Sequence, residues 1–329
     1  MVTPQSILVI RLKSIGDVVL ALPAVHALRE NFPSAKITFL TSRENSVLLR
    51  GFRDVDEVIA LDRAKLRSGH PLKVTSEFFG LLWRLRAGKF SLAVDFQGYG
   101  ETAWLARLTG APQRWGGIYG KGREWAYTRS FAREEKIHPA AANLSLLQQC
   151  GLKTSGIKNE FILPSDALDA ARKIFRENRL DAARPTLFIQ SFTSMSHKNW
   201  PLENYLAVAR HWSSLGVQII FGGGPADLPA LQSACAGNFC VAAGVPLLVT
   251  GGLMQLSTLV LGGDTGALHL AVAQGKRVLM LMHEVEAGSP VPFQHPDWVI
   301  AAPERVAIAR IPLAEVNAAI APVLEHFLH

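Results

Sequence analysis

The segment ILVIRLKSIGDVVLALP, residues 7–23, predicts the start of an α/β fold. Its first six residues form a short apolar run typical of a buried strand, and the turn KSIGD follows. Val18, Leu22, Val25 and Leu28 then recur at helical spacing. Downstream, KITFLTS, DEVIALD and FSLAVDF predict further strands that alternate with helices. This alternation predicts βαβ units and a parallel sheet covered on both faces.

A second α/β series follows residues 151–165, whose Gly, Lys and Pro content predicts a linker. PTLFIQS, VQIIFGG, LVLGG and RVLMLM predict its strands, and residues 312–328 predict a final amphipathic helix. We therefore expect two α/β domains, residues 1–160 and 161–329, with parallel sheets that face each other across a cleft. Ligands of such sheets bind at the carboxyl ends of the strands.

Composition narrows the class of protein. The chain has 329 residues, 49% hydrophobic and 19% charged, a balance typical of globular proteins and unlike disordered or fibrous ones. Three cysteines without CxxC spacing argue against a zinc site or a disulfide framework and favour the reducing cytosol. The N-terminus does not have the pattern of a signal peptide. Residues 228–263 lack charged side chains, but Gly, Pro and polar residues interrupt them, so buried core is favoured over a membrane span.

Positive charge is concentrated in the first half of the chain. Residues 1–160 carry a formal net charge of +9 and residues 161–329 carry −2. A basic domain favours an anionic partner, for which nucleic acid, an anionic membrane surface and a phosphorylated substrate are candidates. A solvated basic face without a partner is the alternative.

Two loops that follow predicted strands carry candidate site residues. Asp17 lies between the first predicted strand and the helix that follows it. This position suits either a functional carboxylate at the sheet edge where ligands bind or a helix N-cap. In SFTSMSHKNWP, residues 191–201, the hydroxyls of Thr193 and Ser194 precede Lys198. Hydroxyls, amides and a lysine can hold a phosphate, although an ordinary polar loop would have the same composition.

Two glycine-containing turns complete the candidates. In GGDTGALH, residues 262–269, Asp264 is the expected N-cap, the amides of Thr265 and Gly266 would form an anion site, and His269 would lie one turn inside the helix. In FGGGPAD, residues 221–227, Asp227 could bind ribose or cap a turn; the segment is not GxGxxG, so the NAD signal is missing. Asp54 and Asp56 form a D-x-D pattern that favours a solvated turn over a metal-nucleotide site.

Taken together, these motifs resemble glycosyltransferase family 9, the ADP-heptose:lipopolysaccharide heptosyltransferases. The resemblance rests on R-x-K-S-I-G-D-V-V-L-A-L-P with A-L-R-x-x-x-P, V-D-F-Q-G (94–98), H-x-x-x-x-N-L-x-L-L (138–147), K-x-W-P and D-T-G-x-x-H. It extends from residue 7 to about residue 310. The sequence departs from the family after the last strand, where MHEVEAGSP (282–290) replaces a G-P-T-like turn near the donor sugar.

The resemblance implies a GT-B fold of two Rossmann-like domains, with the acceptor on the N-terminal domain and the nucleotide-sugar on the C-terminal one. It implies that Asp17 is the catalytic base and that no metal or other cofactor is required. The implied donor-binding residues are Thr193, Ser194, Lys198, Asp227, Asp264, Thr265, Gly266 and His269. Four basic residues of the first domain are expected to contact the acceptor, namely Lys13, Arg63, Lys65 and Arg67. The candidates for membrane contact are Arg63, Lys65, Arg67, Arg84, Arg86 and Lys89.

The implied reaction is inverting transfer of a heptose, or a related sugar, from ADP-heptose to a hydroxyl of a lipopolysaccharide core or related glycan. The expected partners are a nucleotide-sugar donor, a lipid-linked phosphorylated saccharide and the anionic membrane surface, and no nucleic acid. The expected location is the cytoplasm, peripheral to the cytoplasmic face of the inner membrane. Two alternatives remain: a related transferase with another nucleotide-sugar or a non-lipopolysaccharide acceptor, and a non-catalytic nucleotide-binding module.

Overall fold

The chain folds into two units, Met1–Ile162 and Leu163–His329, in a computed structural model. The structure describes residues 3–67, 70–303 and 306–327, without the side chains of residues 67, 72 and 73. The observed division follows Ile162, close to the boundary that the sequence suggested after residue 160.

The first unit contains six strands and six α-helices among its described residues. Its strands are β1 (Ser6–Ile10), β2 (Lys36–Ser42), β3 (Glu57–Leu61), β4 (Leu92–Asp95), β5 (Gln113–Ile118) and β6 (Arg129–Ala132). Its helices are α1 (Ile15–Val19), α2 (Leu22–Asn31), α3 (Arg63–Arg67), α4 (Pro71–Ala87), α5 (Gly100–Leu108) and α6 (Pro139–Gln149).

These strands form one parallel sheet in the order β3-β2-β1-β4-β5-β6. The central strand β1 is buried from Ile7 to Ile10, as expected for a strand covered on both faces. The helices α4 and α5 place Leu81, Leu85, Ala103 and Ala106 in one hydrophobic cluster on the sheet, so these two helices belong to the same covering layer.

The second unit also has six strands and six α-helices in the part of it that the structure describes. Its strands are β7 (Thr186–Gln190), β8 (Gln218–Gly223), β9 (Cys240–Ala243), β10 (Leu259–Gly263), β11 (Val278–Met282) and β12 (Val299–Ala301). Its helices are α7 (Ser165–Glu177), α8 (Leu202–Ser214), α9 (Leu228–Cys235), α10 (Leu247–Leu256), α11 (Gly266–Ala273) and α12 (Leu313–Leu324).

The second sheet is parallel as well, in the order β12-β11-β10-β7-β8-β9. Its central strands β7 and β10 are buried throughout, between one hydrophobic cluster that includes Trp200 and Trp212 and another that includes Phe188 and Met254. The loops after β7, β8 and β10 leave the same edge of this sheet, because the three strands are parallel neighbours. Two parallel α/β sheets confirm the expected fold class.

Some predicted helices differ in detail. The stretch that ends near Arg50 is a 3₁₀ helix, Arg43–Gly51, and the last predicted helix is α12 followed by a 3₁₀ turn, Glu325–Phe327. The longest helix among the described residues, α4, has 17 residues. In the part of the chain that the structure describes, no helix is both long and apolar enough to cross a membrane.

Candidate active site

Asp17 lies in the first turn of α1, directly beyond the carboxyl end of β1. The N-cap of this helix is Ser14, and Asp17 is the third helical residue, so the interpretation of Asp17 as the N-cap is wrong. Its Oδ2 accepts hydrogen bonds from the backbone amide of Ser14 at 2.9 Å and from the Ser14 hydroxyl at 3.1 Å. The sequence pattern S-x-x-D thus closes the turn and fixes the carboxylate in one orientation.

The second carboxylate oxygen of Asp17 is held by a buried arginine. Asp17 Oδ1 lies 2.6 Å from Arg11 Nη2, and the Arg11 side chain is only 7% exposed. Arg11 Nη1 donates to the backbone carbonyl of Phe96 at 2.5 Å, which anchors the guanidinium to the carboxyl end of β4. An ionised carboxylate accepts about four hydrogen bonds. Three are used here, so Asp17 keeps room for one further donor such as a hydroxyl.

The V-D-F-Q-G motif supports the loop that carries Asp17. Gln97 Oε1 accepts from the backbone amides of Leu12 and Lys13 at 2.8 and 3.2 Å. Asp95 Oδ1 accepts from the amides of Gln97 and Gly98 at 2.8 and 3.0 Å and so fixes this turn. Gly98 has a φ of +72°, and a Cβ there would lie 1.9 Å from the carbonyl oxygen of Gly117, so only glycine fits.

Asp95 is fully buried, and its surroundings shift its pKa. Its Oδ2 accepts from the Tyr127 hydroxyl at 2.6 Å. Burial raises the pKa of Asp95 above its usual range, although the hydrogen bonds from Tyr127, Thr102 and the turn amides act in the opposite direction. The position of Asp95, buried and fully engaged, indicates a structural role rather than contact with substrate.

Sequence reasoning missed a second arginine near Asp17, the half-buried Arg133. Arg133 donates to the Phe96 carbonyl and to Asn143 Oδ1, each at 3.1 Å. Asn143 Nδ2 in turn donates to the carbonyl of Leu20, at the end of α1, at 3.1 Å. Burial and the nearby charge of Arg11 lower the pKa of Arg133. Arg11 and Arg133 share one carbonyl, so two cationic groups lie beside the Asp17 carboxylate.

The predicted acceptor-binding residues lie at the same sheet edge but are engaged to different degrees. Lys13 is exposed in the loop that carries Asp17. Arg63 pairs with Glu101 at 3.0 Å, and Lys65 lies 3.6 Å from Asp62. The side chain of Arg67 lies outside the described residues. Since β3 and β1 are two strands apart, α3 begins roughly 10 Å from the Asp17 loop.

In the second unit, the structure brings together Lys198, Asp264 and His269, which the sequence separates by up to 71 positions. Lys198 Nζ lies 2.7 Å from Asp264 Oδ2, and His269 Nε2 lies 3.2 Å from Asp264 Oδ1. Because a carboxylate only accepts, His269 Nε2 is the protonated nitrogen of the ring. The Lys198 ammonium has three donors, and its 33% exposed side chain leaves donors available to a ligand.

Asp264 is ionised and precedes the helix rather than capping it. The N-cap of α11 is Thr265, whose hydroxyl accepts from the Leu268 amide at 3.4 Å, so the expected N-cap is wrong by one residue. Burial acts to raise the pKa of Asp264, but hydrogen bonds from His269 and Lys198 outweigh it and hold that pKa below its usual range. The amide groups of Gly266 and Ala267, in the first turn of α11, have no carbonyl one turn earlier to bind, as at any helix start.

The loop after β7 packs directly on the end of β10. A Cβ at Gly263 would lie 2.7 Å from Thr193 Cγ2, so glycine is needed for this approach. The Thr193 hydroxyl donates to the Met195 carbonyl at 2.7 Å, and the Thr193 amide donates to Asn199 Oδ1 at 2.8 Å. Ser194 is exposed in the same loop. The predicted phosphate loop is therefore ordered by its own hydrogen bonds next to Asp264.

A cavity of about 130 Å³ opens between Lys198, Asp264 and the segment after β11. His283, Glu284 and Ser289 line its other side. These residues belong to the 282–290 segment, in which the sequence differs from the family that it resembles, so this difference lies against the Lys198–Asp264 pair.

Asp227 occupies a capping position in the loop after β8. Its Oδ2 accepts from the Gly224 amide at 2.7 Å within the 3₁₀ turn Pro225–Asp227. This contact agrees with the capping interpretation of Asp227. Its strand β8 is the neighbour of β7, so Asp227 lies at the same sheet edge as the 191–201 loop.

The D-x-D pattern is occupied by contacts within the protein. Asp54 Oδ2 lies 2.8 Å from His26 Nδ1, and Asp56 Oδ2 accepts from Arg29 at 2.6 Å and from the Ile37 amide at 2.7 Å. Ile37 is near the amino end of β2, which is the sheet edge opposite to Asp17. Within the described ranges, no group of three or more His, Cys, Asp and Glu side chains is arranged to hold a metal ion.

Comparison with known sequences identifies the family. The sequence profile of glycosyltransferase family 9 (heptosyltransferase) matches residues 79–302, well over half of the chain. The chain belongs to glycosyltransferase family 9. It is therefore a glycosyltransferase, and the alternative of a non-catalytic nucleotide-binding module is wrong.

Individual relatives agree with this family at low identity. The lipopolysaccharide core heptosyltransferase OpsX of Haemophilus influenzae is 24% identical over 313 residues, which cover 90% of this chain and 84% of that protein. A family 9 glycosyltransferase structure from Veillonella parvula superposes with a TM-score of 0.86 at 21% identity, covering 98% of this chain and 97% of that one. An Escherichia coli heptosyltransferase with ADP-2-deoxy-2-fluoro heptose gives a TM-score of 0.77 at 18% identity over 96% and 99% of the two chains. The structural matches confirm the GT-B fold.

Proposed function

We propose that this family 9 enzyme transfers a heptose, or a closely related sugar, from ADP-heptose to a hydroxyl of a lipopolysaccharide core or related glycan. The observation that supports it most is the Lys198–Asp264–His269 cluster, at the sheet edge where nucleotide ligands of such folds bind. The similar heptosyltransferase with an ADP-heptose analogue supports the choice of donor.

We assign the acceptor hydroxyl to the Asp17 site of the first unit. Asp17 would accept the hydroxyl proton as the oxygen attacks C1 of the donor sugar, and the anomeric configuration would invert in this single displacement. Arg11 and Ser14 hold both carboxylate oxygens in place, and one acceptor position remains for the hydroxyl. The excess positive charge of Arg11 and Arg133 suits an acceptor that carries phosphate or carboxylate groups. Lys13, Arg63, Lys65 and Arg67 would extend this basic surface.

We assign the donor to the second unit. Lys198 would bind the diphosphate with the donors that Asp264 leaves unused, and the amides of Thr265 and Gly266 at the start of α11 would add hydrogen bonds. Thr193 and Ser194 would contact the same phosphates, and Asp227 the ribose. As the sugar–phosphate bond breaks, Lys198 and the helix start would stabilise the leaving diphosphate, and no metal ion is then required.

Asp264 would act mainly through its neighbours. A carboxylate that faces a diphosphate would repel it, but Asp264 is neutralised by Lys198 and accepts from His269. It would therefore orient the lysine rather than bind phosphate. With a lipid-linked acceptor, the reaction would take place at the cytoplasmic face of the inner membrane.

A second candidate is a family 9 reaction with a different nucleotide-sugar. It is favoured by His283 and Glu284, which line the cavity beside Lys198 and are not the G-P-T-like turn of the family. Calorimetric titration with ADP, UDP and GDP tests both candidates. The proposal predicts that ADP binds best; equal or weaker binding of ADP than of UDP or GDP would exclude ADP-heptose as the donor.

A further inference from the structure

Four large aromatic side chains are exposed on one surface of the first unit. Phe79 and Trp83 on α4 are 60% and 71% exposed, Trp104 on α5 is 59% exposed, and Trp125 in the 3₁₀ turn Glu124–Ala126 is 47% exposed. The rings of Trp104 and Trp125 are 4.5 Å apart between centroids. We call these four residues the aromatic surface.

All four residues project from one covering layer of the sheet. Leu81 and Leu85 of α4, Ala103 and Ala106 of α5, and Ala126 of the 3₁₀ turn contribute their side chains to the same hydrophobic cluster. The aromatic residues of these elements lie on the opposite, outward side. On α4, Phe79 and Trp83 are four residues apart and therefore share one stripe of the helix.

Core packing does not account for this stripe. An α-helix on a sheet normally presents polar residues to solvent, whereas α4 presents Phe79 and Trp83 there, and the adjacent Phe78 is 43% exposed as well. Single exposed apolar residues are common on proteins, but a group of exposed aromatic side chains marks a surface that meets a partner or a membrane.

The charge around α4 indicates which class of partner fits. Residues 63–89 contain seven Lys and Arg but only one acidic residue, Glu77, which gives a formal net charge of +6. Glu77 is 12% exposed and lies 3.8 Å from Arg84, so it contributes little negative charge to the surface. A second copy of this chain would bring the same cationic surface against itself in a two-fold dimer, which is unfavourable. An anionic occupant is complementary.

We propose that the aromatic surface inserts into the headgroup region of an anionic phospholipid bilayer while neighbouring basic residues contact lipid phosphates. Tryptophan suits this position because its ring is apolar and its N–H can bind water or headgroups. Basic residues add attraction to an anionic leaflet, and Arg86 and Lys89 at the end of α4 are exposed. The choice of a membrane over an acidic protein rests on the proposed function, because a lipid-linked acceptor lies in a bilayer.

Vesicle binding tests this inference with the full-length chain. The double variant F79S/W83S removes the two most exposed rings, and F327S removes a ring that is 55% exposed in the second unit, as the matched control. Flotation is measured with phosphatidylcholine vesicles and with vesicles that also contain phosphatidylglycerol. We expect wild type and F327S to float with the anionic vesicles, and F79S/W83S to bind at least about tenfold more weakly.

A second measurement reports membrane insertion with a variant that keeps an aromatic side chain at both positions of α4. Brominated lipids quench tryptophan fluorescence only where an indole ring enters the bilayer, and W83F keeps an aromatic ring at this position. Wild type should be quenched by brominated anionic vesicles, and W83F should show a clear decrease in that quenching.

Several outcomes would overturn the inference. Equal flotation of wild type and F79S/W83S, or equal quenching of wild type and W83F, would show that the rings do not insert. Failure of wild type to bind anionic vesicles would show that the surface meets something else. Light scattering that finds a wild-type dimer and a monomeric F79S/W83S would assign the surface to self-association instead.

The test separates this inference from the proposed function. ADP binding, measured by calorimetry, should be unchanged in F79S/W83S because the donor site is in the other unit. If no ADP-heptose transfer occurs but vesicle binding depends on Trp83, the proposed function fails and the membrane surface stands. If transfer occurs and vesicle binding does not depend on the rings, only the membrane surface fails.

Discussion

Replacing Asp17 by asparagine separates its structural role from its proposed chemical role. An amide presents one oxygen and one NH₂ group where the carboxylate presents two oxygens. In the wild type, Arg11 Nη2 and the Ser14 amide donate to the two oxygens of Asp17, at 2.6 and 2.9 Å. In either orientation of the asparagine side chain, its NH₂ group replaces one of these oxygens and therefore faces a donor. A lost charge-assisted contact at a 34% exposed side chain should cost about 1–2 kcal/mol of folding stability.

The expected loss of turnover is much larger than the loss of folding stability can account for. A destabilisation of about 1 kcal/mol lowers Tm by roughly 2–4 °C in a domain of this size. An amide cannot take the acceptor proton, so kcat should fall by about 10²–10⁴. ADP affinity should stay near wild type, because the proposed donor residues are all in the second unit.

Asp56→Asn is the matched control. Asp56 also accepts from an arginine at 2.6 Å and from a backbone amide at 2.7 Å, but it lies at the opposite edge of the sheet. Because both donors bind the same oxygen of Asp56, the asparagine oxygen can accept from both, so D56N should lose no more stability than D17N and should keep its turnover. The assay is kcat with ADP calorimetry and thermal melting on both variants. Wild-type turnover in D17N, or an equal loss in D56N, would refute the assignment of Asp17 as the base.

Three further predictions concern the second unit and the absence of a metal requirement. Lys198→Ala should weaken ADP binding about tenfold to a hundredfold in calorimetry; unchanged affinity in a folded variant would show that Lys198 does not hold the diphosphate. The lowered pKa of Asp264 stabilises the fold above its unfolded-state value, near 3.9, and this contribution is lost as pH falls further. Below about pH 4 the Tm of wild type should therefore fall more steeply than that of Asp264→Asn, and parallel curves would contradict the pairing with Lys198. Turnover should survive EDTA because Lys198 and the start of α11 act on the leaving diphosphate; loss on chelation that magnesium or manganese restores would reveal a metal requirement.

The strand and loop positions that carry the site were accessible from sequence because they follow strong local patterns. The strands β1, β7 and β10 are apolar runs that end in short turns, so the positions of Asp17, Lys198 and Asp264 at sheet edges could be predicted. The strands β5, β6, β9 and β12 were missed, because QRWGGI, RSFA, CVAA and VIA are short or contain glycine.

Contacts between distant segments could not be predicted in the same way. Arg11 and Arg133 are 122 positions apart, and arginine is usually a surface residue, so nothing local indicates that both are held at one carbonyl. The N-caps at Ser14 and Thr265 also differ from the expected Asp17 and Asp264. In both cases two residues within one helical turn can cap, and the structure instead pairs Asp17 with Arg11 and Asp264 with Lys198, contacts that only the folded chain reveals.

The most direct test of the proposed reaction is a transfer assay with ADP-heptose and an inner-core lipopolysaccharide acceptor, followed by mass spectrometry and NMR of the product. The proposal predicts an acceptor that gains one heptose, with anomeric configuration opposite to that of the donor, and release of ADP. No transfer from ADP-heptose under conditions where another nucleotide-sugar is consumed would contradict the donor assignment. Transfer with retained configuration would contradict the single displacement assisted by Asp17.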